Sequence, residues 1–365
     1  MPDDSNPIGR AIRRAQLQAA RAVERRQEQA AREMRRLFEL ALADLQRDLA
    51  QLADAEGVIP LERMPEAERI IRRRLDTLAD QRDSLVIAEL SAAAGLGANA
   101  FSPAASAGVA LDEVRQSAVD FVREFRDANG LQLSDRLWRV SQGARERVIE
   151  AVESAIVQGH SAAQAARRLV TNGEAVPEDL LSKAGLARIR EIQQRAGDAL
   201  LTSRMNPFFQ AERVMRTEIN RAYGETAVRA AAQHPDVIAV RFVLSPRHPK
   251  FDICDMHASA NRHGLGPGVY PIDNHPWPAH PNTLSYLEPV FVDEITDEDR
   301  AGKQTMTEFL NSLTAEQQDG VLDGQAKGWA WRQGLLDPRQ VQTPWKKIAP
   351  QLQKRNIDIP ARFMP

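Results

Sequence analysis

The feature that most limits what this chain can fold into is the isolation of its β-forming sequence. Two runs are rich in β-branched and aromatic residues, Val237-Ile-Ala-Val-Arg-Phe-Val-Leu244 and Tyr286-Leu-Glu-Pro-Val-Phe-Val292. Residues 245–283 between them are dense in Pro, Gly, His and Asp. So long an irregular stretch usually carries function or needs a clip to stay ordered. Pro289 lacks a donor for a central ladder, which restricts the second run to an edge or bulge position. Most of the remaining sequence reads as helix. The expected fold class is therefore mainly α with a small α+β module. Long N-terminal helices lead to a helix plus a two-stranded antiparallel sheet with a Pro/His-rich loop, and the C-terminal end is helical.

At 365 residues, a soft prior of ~150 residues per domain gives two or three domains. Hydrophobic residues at 43% and charged residues at 27% exclude a wholly disordered chain. A net charge of -2 excludes a polyanion-binding protein that is basic throughout. Only seven basic residues are Lys, none before Lys183, which reads as the codon bias of a GC-rich genome. The single cysteine, Cys254, rules out an intrachain disulfide and points to synthesis in a reducing interior. No run approaches the ~18 apolar residues of a membrane span, and the acidic, polar start is unlike a signal peptide. The expectation is a soluble chain with no membrane partner.

Four consecutive regions are expected. Residues 1–130 form an extended helical arm and helical region, and 131–205 a helical domain. Residues 206–295 form the α+β core, and 296–365 a helical C-terminal region. Expected helices run from Ile8 to about Ala55, Pro65 to about Ala94, Ala110 to Asn129, Ser134 to about Val157 and Ser161 to Val170. Further ones run from Pro177 to about Thr202, Asn206 to about His234, Thr305 to Leu313, Thr314 to about Lys327 and Gln340 to about Arg355. Asp3, Asp4 and Ser5 are cap candidates for the first, and Gly159-His160-Ser161 reads as a turn with a structural His.

The halves of the first helix differ. Met34, Leu37, Phe38, Ala41, Leu45, Leu49 and Leu52 form an apolar stripe, whereas Arg13 to Glu33 holds little larger than Ala beyond Leu17 and Val23. Nine Arg face three Glu between Ile8 and Arg36: Arg10, Arg13, Arg14, Arg21, Arg25, Arg26, Arg32, Arg35 and Arg36. A solvated face laced with Glu–Arg pairs is one reading, and an arm docking on protein or DNA is the other. With so little to bury, the arm is expected to fray until a partner orders it.

Five of the seven histidines, His248, His257, His263, His275 and His280, fall within 33 residues that also hold Cys254. Cys254 and His257 have the two-residue gap that lets both side chains of a tight turn reach one ion, and His275 and His280 follow in a Pro-rich loop. One Zn²⁺ on Cys254, His257, His280 and His275 would clip the loop, whereas histidines simply hydrogen-bonded within it would need no metal.

The order Arg216-Thr217-Glu218-Ile-Asn220-Arg-Ala-Tyr223, strand, Asp252-Ile-Cys254-Asp-Met-His257, then His280-Pro281-Asn282 and a second strand resembles the phage Mu F-like minor head (head morphogenesis) proteins. Residues 309–324 and Trp329-Ala-Trp331-Arg-Gln-Gly334 look like the helical end that often follows, and the likeness covers roughly residues 150–340. The chain departs from the family where His257 replaces a second Cys and Thr283-Leu284-Ser285 replaces a closing Cys-Arg-Cys. The resemblance implies a non-enzymatic virion component made in a bacterial cytoplasm. Such a protein takes part in head assembly near the portal, with DNA packaging or ejection as a further role, and its partners are the portal, other head proteins and DNA. Arg216, Glu218 and Asn220 would be fold-defining. Arg216 and Glu218, two apart on a helix, point to different faces, so each should pair with a neighbouring element.

Two enzymatic alternatives are weaker. Asp273-Asn274-His275 and His280-Pro281-Asn282 supply the residue types of a metal-dependent HNH-like nuclease, but no His follows His280, where such a site needs one on a helix. A head-domain-linked toxin would need a further catalytic domain, and the unassigned sequence is Ala-rich and poor in His and Cys. Gly302-Lys303-Gln304-Thr305 is not a P-loop, and Gly264-Leu-Gly266-Pro-Gly268 lacks dinucleotide spacing.

Overall fold

Helix α1 (Pro7–Ala50) begins on a proline, whose missing N–H is no loss in a first turn, and continues through residues of high helix propensity. The computed structural model describes residues 7–127, 129–248, 250–280, 283 and 285–364. The cap candidates Asp3, Asp4 and Ser5 and the turn residues Pro281, Asn282 and Leu284 lie outside them. After α1 come α2 (Met64–Asn99), α3 (Leu111–Glu124), α4 (Leu133–Thr171), α5 (Glu178–Ala184), α6 (Ile189–Gly197) and α7 (Pro207–Gln233). Then follow β1 (Val237–Val243), α8 (Ile253–Ser259), β2 (Val269–Pro271) and β3 (Tyr286–Phe291). Five helices complete the chain: α9 (Asp297–Ala301), α10 (Met306–Ser312), α11 (Ala315–Val321), α12 (Gln325–Arg332) and α13 (Trp345–Lys354). The protein is mainly helical with one small antiparallel sheet, the class expected. Among the described residues no helix is long and apolar enough to cross a membrane.

Several boundaries differ from expectation for local reasons. Helix α4 is unbroken where a turn at Gly159 was expected. A Cβ there would collide with the backbone of Ala187, so this glycine serves a close approach and not a turn. His160 is structural, its Nε2 donating to the Ile59 carbonyl at 2.8 Å. The expected helix from Pro177 breaks into α5, a 3-10 turn at Gly185–Ala187, α6 and a π-turn at Asp198–Thr202. Ile59 N donates to Ala187 O and Ile189 N to Gly57 O, so the chain opens out at Arg188 to pair with residues 57–59. Helix α3 ends at Glu124 because the Asp127 carboxylate accepts from the backbone N–H groups of Asn129 and Leu131. Asp323 and Gly324, with φ of 60° and 130°, separate α11 from α12.

The sheet has three strands in the order β2-β1-β3, both pairings antiparallel, which corrects the expected two. The additional strand is only Val269-Tyr-Pro271, too short to show a periodicity in sequence. Val240 faces Tyr270 on one side and Pro289 on the other, so Pro289 sits on an edge strand as its chemistry demands.

The chain packs as two units that interleave along the sequence. One comprises residues 1–24, 93–118 and 220–365; the other comprises 25–92 and 119–219. The division therefore differs from the four consecutive regions expected. In the first unit, Ile12, Val23 and the side chain of Gln16 are buried. Arg13 pairs with Glu294 at 2.6 Å, Tyr223 Oη donates to Gln16 O at 3.1 Å, and Ser245 Oγ donates to Glu24 at 2.5 Å. The start of α1, expected to fray without a partner, is packed within this unit, with Ile12, Ala19, Ala20 and Val23 buried. In the same unit Met256 and Ala260 join the core formed by Phe309, Leu310, Trp331, Ile348 and Leu352, which seats α8 against the C-terminal helices.

In the second unit, Phe38 and Phe208 meet edge to face at 5.7 Å, with the Arg35 guanidinium 4.4 Å over the Phe208 ring. Asp48 takes both arms of Arg74 at 2.8 and 3.0 Å.

Candidate metal centre

Cys254 and His257 do not lie on a tight turn. Both are on α8, a two-turn helix that Asp252 starts by accepting from Cys254 N at 2.7 Å, while Asp255 accepts from Asp252 N at 2.8 Å. This reciprocal cap could have been read from two acids three residues apart, had the surrounding Pro, Gly and His not argued for a loop.

From that helix end a polar cluster forms within the first unit. Cys254 is fully buried and its Sγ is 3.1 Å from His280 Nε2 and 3.5 Å from Thr283 Oγ1. His280 Nε2 also lies 3.5 Å from an Asp252 oxygen. Ligand atoms of Asp252, Cys254 and His280 all fall within 4.8 Å of one another, as do those of His248, Asp252 and Asp255. In the second group His248 Nε2 is 2.8 Å from Asp255 Oδ2 and 3.7 Å from Asp252. Asp252 is common to both.

Burial pushes the Cys254 thiol up to about 12, so without a cation it is neutral. A divalent ion would supply the charge that draws the proton off and makes sulfur a ligand. Sulfur, imidazole and carboxylate donors at these separations form a set that borderline-soft metals accept. Asp252, Cys254 and His280 are thus a metal-competent group among the described residues.

His257 and His275 stand outside both groups. His257 Nδ1 is 3.1 Å from Tyr270 Oη, its Nε2 is buried without a hydrogen-bond partner among the described residues, and burial holds its pKa down to about 3. His275 accepts from Trp277 N through Nδ1 at 3.3 Å, and burial lowers its pKa also. The four-ligand set expected from sequence is corrected accordingly. His248, Asp252 and Asp255 are the cluster members that sequence reasoning did not select as ligands.

The three fold-defining positions serve different ends. Asn220 Nδ2 donates to the Thr283 carbonyl, tying α7 to Thr283. Glu218, with no exposed surface, accepts from Arg136 Nη1 at 2.5 Å. Arg216 pairs within its own helix, with Glu212 at 2.8 Å, and not with a neighbouring element among the described residues. Along α1, Arg13 and Arg26 are taken by Glu294 and Glu89, and Arg35 and Arg36 lie within 4.0 Å of Glu39 and Glu33. Arg10, Arg14, Arg21, Arg25 and Arg32 are exposed.

No family model matches this chain, no curated protein matches its sequence, and no solved structure matches its fold.

Proposed function

We propose that the chain is a structural minor head protein of a tailed phage or prophage, acting in head assembly near the portal. The observation that supports this reading is the convergence of the motifs on which the Mu F-like resemblance rests. The Arg-Thr-Glu helix, Cys254 and the His280 turn are far apart in sequence, yet Asn220 bonds Thr283 and Cys254 faces His280 beside one three-stranded sheet. A clip at His280 would add to the packing that Met256 and Ala260 already give α8. Asp252, Cys254 and His280 would hold one Zn²⁺ as such a clip, with cross-linking of the loop as its role.

The reading places the protein in the virion, with the portal and other head proteins as partners. Mass spectrometry of purified proheads and mature heads should find it at low copy, and purified protein should not cleave DNA in the presence of Mg²⁺, Mn²⁺ or Zn²⁺. Absence from both particle types would overturn the proposal.

A further inference from the structure

Within the second unit, α4 and α7 border a cleft of about 390 Å³, a volume in the range of small-molecule sites. Arg136, Arg139, Arg147 and Arg213 line it, against a single acid, Asp127. The Asp127 carboxylate is occupied by the turn it caps, accepting at 2.8 and 3.1 Å from the backbone of Asn129 and Leu131. Arg139 forms no hydrogen bond or ion pair with any described residue. Arg147 donates to the Met205 carbonyl at 3.0 Å, and Arg213 to the Gln210 side chain at 3.1 Å, neither partner being charged.

Elsewhere in the same unit Arg26, Arg72 and Arg74 are each matched to a carboxylate. The fourth guanidinium supplies a separate indication. Arg136 gives Nη1 to Glu218 and Nε to the Gln132 carbonyl, but its Nη2 is buried with no hydrogen-bond partner among the described residues. A buried cationic donor without an acceptor is costly, and such groups ordinarily have partners. At the level of Gly143, between Arg139 and Arg147 on α4, nothing stands within 4 Å of where a Cβ would be, so the space beside the guanidiniums is open. Leu131, Val140, Pro207 and Val214 give the cleft an apolar wall.

We propose that this cleft binds a nucleotide phosphate. The arginines take the phosphate oxygens, for which the planar guanidinium fork is suited, and the apolar wall receives the sugar or base. The same chemistry is presented by a free nucleotide and by a nucleic-acid strand, and it is independent of the head-protein reading.

Binding of ATP and of a fluorescent single-stranded oligonucleotide to the full-length protein would be measured at low salt by titration. Saturable binding is expected for at least one probe, weakening as salt rises because phosphate contacts release counterions. Arg139→Gln combined with Arg213→Gln should weaken it at least tenfold. Gly143→Glu should abolish it by placing a carboxylate in the open space, with unchanged circular dichroism and thermal melting, since glutamate is the better helix former. Binding of ATP as well as the strand identifies a free-nucleotide site, and binding of the strand alone identifies a strand site. The proposal is overturned if neither probe binds, or if both variants bind as the native protein does, which would assign the affinity to the arginines of α1 instead.

Discussion

Glu218 is a carboxylate with no exposed surface, and Arg136 is the cation that makes its burial tolerable. Removing one partner of such a pair leaves the other charge stranded, so Arg136→Ala should cost about 3–5 kcal/mol in chemical denaturation. Arg136→Met with Glu218→Leu should recover much of that loss, because no charge is then left behind. A second pair gives a pH dependence. The hydrogen bond from Arg74 holds the Asp48 carboxyl below the usual carboxylate range. A depressed folded pKa means the unfolded chain binds the proton more readily, so this contribution is present above pH ~4 and is lost as the pH falls further. Asp48→Asn should lower stability at pH 7 by about 1 kcal/mol and flatten the acid limb of the pH–stability curve. Residue roles were only partly legible in sequence. That Arg216 and Glu218 face apart follows from helical geometry, but nothing in the sequence distinguishes a partner one turn back, Glu212, from one on another helix, Arg136.

Elements were legible where one signal dominated. Ala-, Leu- and Arg-rich runs produced helices, and β-branched runs produced β1 and β3. Where tertiary packing overrode a local signal, the reading failed. Gly159 looks like a breaker but lies inside α4 because Ala187 passes over it. The short α8 was hidden in a stretch whose composition argues for loop, although Asp252 and Asp255 carried its start signal. Helix α1 is the sharpest case, since a sequence poor in large apolar residues still buries Ile12 completely. Ile12→Ala should therefore cost roughly 2–5 kcal/mol, read as a lower urea midpoint and faster amide exchange in residues 7–24. A frayed arm would show no change in either.

The metal-competent group belongs wholly to the unit that contains the sheet. Purification without a histidine tag should yield about one Zn²⁺ per chain, and Cys254→Ser should lower that content. Chelation should accelerate exchange in residues 237–291 and leave residues 25–92 as they were. Equal exchange before and after chelation would show the loop to be held by packing alone, as in a chain of hydrogen-bonded histidines.

Arg13 and Glu294 meet at 2.6 Å across a sequence separation of 281 residues. A ribosome adding roughly 5–20 residues per second needs about fifteen seconds to a minute to cover that distance. Through this interval the start of α1 has been made while its partner Glu294 has not. Residues 25–92 and 119–219 are complete earlier, so the order of synthesis assigns the last packing step to the segment made first.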